Sequence, residues 1–190
     1  MKTKNLITII FISILCISFT SVNAQRNKHK QAQRQKHQKT KRHAPHYRYS
    51  KLPRWGYSYK TAPKNAFIIK HSGNKYHYHS GIFYKSAGAN YKIAKAPIGI
   101  RVRTLPKEKI RCIIHGKKYF YYYGTYYVKS DDDTEFVTVN PPKGAKVDAL
   151  PEGYKNVEMN GDEFYEFEGT YYKAITNENN EEWYEVVVEK

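Results

Sequence analysis

The stretch Gly116 to Lys129 reads GKKYFYYYGTYYVK, and the chain says it three times. Gly73 to Lys85 reads GNKYHYHSGIFYK, and Gly161 to Lys173 reads GDEFYEFEGTYYK. In each copy two glycines stand eight residues apart, at Gly73 and Gly81, Gly116 and Gly124, and Gly161 and Gly169. An aromatic follows three residues after the first glycine, and an aromatic pair follows the second: Phe83-Tyr84, Tyr126-Tyr127 and Tyr171-Tyr172. A fixed internal period of this kind is the signature of a repeat architecture. Each copy reads as strand, turn at a glycine, aromatic strand, turn at the second glycine, and strand through the aromatic pair. A short strand closes each unit, at residues 91–94, 136–139 and 183–188. No segment carries the 3.6-residue period of a helix, so an all-β domain of three units of about four short antiparallel strands is predicted, near residues 66–106, 107–151 and 152–190.

A second phrase links the units. Pro97, Gly99, Val102, Leu105 and Pro106 recur as Pro142, Gly144, Val147, Leu150 and Pro151, at an offset of 45 residues. Working outward, residues 44–64 mix charges with Pro45, Pro53, Pro63 and the aromatics Tyr47, Tyr49, Trp55, Tyr57 and Tyr59. They read as a linker able to dock on the folded part through Trp55. Residues 25–42 contain only Gln, Arg, Lys, His, Asn, Thr and one Ala, with no apolar face at either period, and are expected to be disordered. Lys2 and Lys4 precede an apolar run from Leu6 to Phe19, and Val22-Asn23-Ala24 places small residues at the positions a signal peptidase reads. A secretory signal peptide over residues 1–24 is therefore expected, cleaved before Gln25, with a periplasmic or extracellular address. The run is short for a membrane span, and Leu15 before Cys16 argues against lipidation.

The charge is unevenly divided. No Asp or Glu occurs before Glu108, whereas 23 of the 33 Lys and Arg do; from Glu108 on there are 17 acids and 10 Lys and Arg. A basic amino-terminal half, with Lys39, Lys41 and Arg42 at its densest point, points to anionic envelope polymer or a membrane surface, or to nucleic acid bound without sequence preference. Tyrosine supplies 19 of the 190 residues. Strand alternation divides the aromatic strand into two faces. Because Ser80, Glu166 and Glu168 share a face with Tyr78, Tyr121 and Tyr123, that face is expected to meet water and to offer those tyrosines, with Trp55, for stacking on a partner. The other face, His77, His79, Phe120, Tyr122, Tyr165 and Phe167, is expected to pack.

Candidate chemistry is sparse. His77 and His79, two apart on one strand face, have His71 and His115 nearby and His29, His37, His43 and His46 before them. Such imidazoles can hold zinc, copper or nickel, so a periplasmic metal-binding protein is the alternative reading. The repeat counterparts of His77 and His79 are aromatic, however, which makes them replacements for packed rings, and no cofactor is expected. Asp131 to Asp133 lacks the spacing of a calcium loop and reads as a solvated hairpin tip. Cys112, the one cysteine after the signal segment, reads as a small buried hydrophobe in a strand. No nucleophile, base and acid set can be assembled, and no enzyme is expected.

The aromatic run ending in Gly-x-aromatic-Tyr and the Pro-x-Gly-x-x-Val-x-x-Leu-Pro connection together resemble a domain-of-unknown-function family of secreted bacterial envelope proteins, over about residues 67 to 188. The resemblance implies export, a basic amino-terminal segment and a repeated β module. It implies no activity and transfers no functional residue. The Glu-rich third copy and His77 and His79 depart from the usual pattern.

Overall fold

The computed structural model describes residues 40–189. The expected signal peptide, most of the basic segment and the candidate Lys39 lie outside the described residues. The described chain contains three five-stranded antiparallel sheets of one topology, one turn of 3-10 helix at Tyr47–Tyr49, and no α-helix.

Sheet I holds β1 (Ser58–Tyr59), β2 (Phe67–His71), β3 (Asn74–His79), β4 (Ile82–Ala87) and β5 (Asn90–Ile93), in the order β1-β5-β4-β3-β2. Sheet II repeats this order with β6 (Arg101–Val102), β7 (Ile110–Ile114), β8 (Lys117–Tyr122), β9 (Thr125–Lys129) and β10 (Phe136–Val139). Sheet III follows with β11 (Lys146–Val147), β12 (Lys155–Met159), β13 (Asp162–Phe167), β14 (Thr170–Thr176) and β15 (Glu182–Glu189). The aromatic strand and the strand through the aromatic pair are the hairpins β3-β4, β8-β9 and β13-β14, turning at the second glycine of each copy. The all-β, three-unit reading of the sequence is the observed architecture.

The fifth strand of each sheet was not foreseen. It comes from the Pro-Gly phrase, whose two-residue strand pairs with the last strand of the sheet that follows: Val102 opposite Phe136, and Val147 opposite Tyr184. The phrase therefore opens each unit instead of closing the one before it. The segment at residues 44–64, read as a linker, is built into the fold for the same reason. Gly56, Tyr59, Ala62 and Pro63 stand 43 residues before Gly99, Val102, Leu105 and Pro106, a first copy of the phrase, and its β1 pairs with β5.

Neighbouring sheets meet at the turn glycines. Gly81 and Gly124 have φ of +84° and +82°, a conformation that favours residues without a Cβ. They also sit under rings of the next sheet: an added Cβ would lie 2.3 Å from Tyr122 at Gly81 and 2.4 Å from Phe167 at Gly124. The equivalent Gly169, in the last sheet, has nothing within 4 Å. Close approach of backbone to ring is thus used at both junctions between consecutive sheets. The interior is largely tyrosine, with Tyr121, Tyr126, Tyr127 and Tyr172 exposing 1 % of their surface or less. Cys112 is a free, buried thiol in β7, as its sequence setting implied, and burial raises its pKa to about 11. The Asp131–Asp133 turn is exposed between β9 and β10, where the Asp132 carboxylate accepts from the Ser130 hydroxyl and from Thr134.

Candidate functional site

The face expected to be exposed is the buried one. Tyr78, Tyr121 and Tyr123 expose 5 %, 0 % and 2 % of their surface. The Tyr78 hydroxyl donates to the Thr104 carbonyl at 2.8 Å, and the Tyr121 hydroxyl donates to that of Ala149 at 2.9 Å. Each side chain therefore ties its own sheet to the phrase that opens the next. Glu166, their counterpart in sheet III, accepts instead from the Gly169 amide of its own turn at 2.7 Å. Ser80, Tyr123 and Glu168 misled because their φ values of 47°, 47° and 50° place them in the turn, where strand alternation no longer assigns a face.

His77 and His79 are half-buried, and the His77 ring meets Tyr91 edge-on at 5.1 Å. This is the packing of an aromatic substitute. Among the described residues no group of three or more His, Cys, Asp or Glu converges as a metal site. Phe120 and Tyr165, expected to pack, are only partly buried, while Tyr122 and Phe167 are buried beneath the turn glycines. Both faces of the aromatic hairpins thus contribute to the interior.

Trp55 is an anchor and not a contact surface. Its ring meets Phe167 edge-on at 5.0 Å, and its Cβ lies where Gly153 has no side chain. It ends a strap, residues 41–55, laid along the junction of sheets II and III. The strap begins at Lys41, whose amide donates to the Asn180 carbonyl and whose carbonyl accepts from the Glu182 amide. Arg42, mostly exposed, lies 3.5 Å from the Glu182 carboxylate. Further along, the Pro45 carbonyl accepts from Leu150, the Arg48 guanidinium pairs with Asp148, and the Tyr49 hydroxyl accepts from the Tyr123 amide. The Tyr123 hydroxyl donates to the Pro53 carbonyl, and Arg54 pairs with Glu152. Burial disfavours the charged form of Asp148, and Arg48 offsets only part of that, leaving its carboxyl above the ordinary value.

Two surfaces open to a partner stand out among the described residues. The first is the basic rim of sheet I, at the end that carries its β2-β3 and β4-β5 turns, where Lys70 lies opposite Lys75 on one face and Lys85 opposite Lys92 on the other. All four are exposed, and residues 41–107 contain no acid. Like charges directly opposite each other cost about 0.2–1 kcal/mol per pair. The repeat equivalents of Lys70 and Lys75 in sheet III are Glu158 and Glu163, also opposite each other, so the domain is basic at sheet I and acidic at sheet III. The second surface is a groove between sheets I and II. Two adjoining cavities of about 490 and 550 Å³ share Phe67, Tyr78 and Thr104, with Arg101 and Arg103 at one end and His79, Leu105 and Glu108 at the other. Phe67 exposes 73 % of its surface at the edge strand β2.

These features define a repeat protein of three aromatic β-sheets, closed along one side by an amino-terminal strap. The model of a family of unknown function, DUF6515, matches residues 19–190, and the chain belongs to that family. No curated protein matches the chain, and no solved structure does.

Proposed function

We propose that this chain is an exported, non-catalytic binding module that holds anionic polymer of the cell envelope through its basic amino-terminal segment and the basic rim of sheet I. The observation that carries the reading is the continuity of positive charge. The basic run of residues 25–42 enters the described fold at Lys41 and is followed by Lys70, Lys75, Lys85 and Lys92 on sheet I, with no acid before Glu108. Each facing lysine pair costs folding free energy in the free protein, and a polyanion held along this rim, in reach of both faces, would relieve that repulsion. Export is supported by the signal-like residues 1–24. Tyr78, Tyr121 and Tyr123 have no part in this binding, because they are buried.

The test is titration of fluorescent heparin with the full chain and with a variant lacking residues 25–39, at several salt concentrations. Counterion release makes such binding fall steeply as salt rises, with a log-log slope that grows with the number of anionic groups neutralised. The deleted segment carries six Lys and Arg. Deletion is expected to weaken binding and flatten the slope while leaving the sheet I contribution. Unchanged or tighter binding after deletion would refute the role, and would make the basic segment an internal partner of the acidic sheet III.

A further inference from the structure

The strap has a position in the repeat, and the same position at the other junction is an open groove. Residues 65, 67, 78, 79, 80, 104, 105, 106, 108 and 122 line the larger cavity. At the repeat offsets of 43 and 45 residues their counterparts at the junction of sheets II and III include Tyr122, Tyr123, Leu150, Gly153 and Phe167. All five of those are held by the strap. Tyr49 packs edge-on against Tyr122 and Tyr123 at 5.7 and 5.1 Å, Pro45 accepts from Leu150, and Trp55 covers Gly153 and Phe167. The framework beneath is the same at both junctions: Tyr78 bonds to Thr104 as Tyr121 bonds to Ala149, and Tyr122 lies on Gly81 as Phe167 lies on Gly124. What differs is charge. Arg103 stands where Asp148 pairs with Arg48, and Arg103 is exposed with no ion pair among the described residues.

We infer that the groove between sheets I and II is a peptide-docking site that takes a segment in the manner of the strap but of opposite charge: a carboxylate side chain followed directly by an aromatic. The carboxylate would pair with Arg103 as Arg48 pairs with Asp148. The aromatic ring would sit against His79 and Ser80 as Tyr49 sits against Tyr122 and Tyr123. A carbonyl earlier in the segment would accept from the Leu105 amide, the counterpart of the Leu150 amide that donates to Pro45. The occupant is not this chain's own basic segment or the strap of a second copy. Residues 25–54 contain no acid, and Arg48 would be set against Arg103. The partner is therefore an acidic, aromatic segment of another protein. This inference does not depend on the polyanion reading, which uses other residues.

The test uses dye-labelled peptides of residues 44–55 and the full chain, followed by fluorescence anisotropy. One peptide has the native sequence, one carries Arg48→Glu, and one carries Arg48→Glu with Tyr49→Ala. The Arg48→Glu peptide is expected to bind at least tenfold tighter than the native sequence, and to lose at least tenfold when Tyr49→Ala is added. Arg103→Glu in the full chain is expected to reverse the order of the first two peptides. Because Arg103 is exposed, this change leaves the core untouched, and Arg103→Gln serves as a second variant expected to abolish the preference without reversing it. Equal binding of the first two peptides, no binding by any, or retention of the preference after Arg103→Glu would overturn the inference. So would indifference to Tyr49→Ala, which would reduce the site to a patch that collects anions of any kind.

Discussion

Raising the pH should unfold this protein through its tyrosines. Tyr49, Tyr121, Tyr126, Tyr127 and Tyr172 expose 3 % of their surface or less. Burial holds the pKa of each above the ordinary value of 10, with neighbouring acids and tyrosines adding to the shift. The hydroxyls of Tyr126, Tyr127 and Tyr172 are buried with no hydrogen-bond partner among the described residues, so a charge formed on one would have no donor to stabilise it. The folded pKa lies above the unfolded one, so neither state is ionised well below pH 10 and stability is intact there. As pH rises past 10 only the unfolded chain releases these protons, and stability is lost. At about pH 11 each such tyrosine favours the unfolded state by about 1.4 kcal/mol. Five of them together remove roughly 7 kcal/mol, which falls within the 5–15 kcal/mol total stability of an ordinary domain. The assay is a pH titration read in parallel by tyrosinate absorbance and by far-ultraviolet circular dichroism. The buried set should appear in one cooperative step that coincides with loss of the β signal. Full tyrosinate absorbance with the β signal intact would refute the reasoning, because it would mean that the core rings can be ionised in place.

Gly124→Ala should cost about 2–5 kcal/mol, the sum of a left-handed backbone and a Cβ driven into Phe167, whereas Gly169→Ala should cost only the backbone share of about 1–2 kcal/mol. Urea denaturation of the two variants checks this, and equal losses would count against ring-on-glycine packing. Arg48→Met should destabilise by about 3 kcal/mol, because Asp148 would be left largely buried without its partner, and Asp148→Leu added to it should recover part of the loss. The double-mutant cycle is the measurement. Trp55→Ala should free the strap from Gly153 and Phe167, read as faster proteolytic cleavage within residues 41–55 with β15 still protected. Replacing both His77 and His79 by Phe should leave the melting temperature unchanged or raise it, and nickel should not shift it in either form; a nickel-dependent rise lost in the double variant would restore the metal reading.

The repeat made the hairpins legible, because glycines eight residues apart and aromatic pairs report backbone turns and strand pairing directly. The burial of the strand faces was not legible, and the particular residues show why. Ser80 and Glu168 occupy the left-handed turn position, where alternation assigns no face, and Glu166 is turned to the Gly169 amide of its own hairpin. Alternation assumes one buried face, whereas in β8 Tyr121 meets the phrase that opens the next sheet and Tyr122, on the other side, meets Gly81 of the preceding sheet. The first copy of the phrase could have been found, since Gly56 and Pro63 stand at the period, but its apolar positions are Tyr59 and Ala62 in place of Val and Leu. Nothing local marks Arg48 or Tyr49 as strap residues. Their pairing with Asp148 and Tyr123 spans up to 100 positions and emerges only once the sheets are placed. The basic character of sheet I was visible as charge along the chain, but its facing lysine pairs required the strand register.

The account rests most heavily on sheet I as the surface that meets the polyanion, and amide chemical-shift mapping with a short heparin oligosaccharide tests it most directly. Perturbations concentrated on β2 to β5, around Lys70, Lys75, Lys85 and Lys92, and at Lys41 and Arg42 are the expected result. Perturbations spread evenly over the three sheets, or centred on β12 to β14, would contradict it.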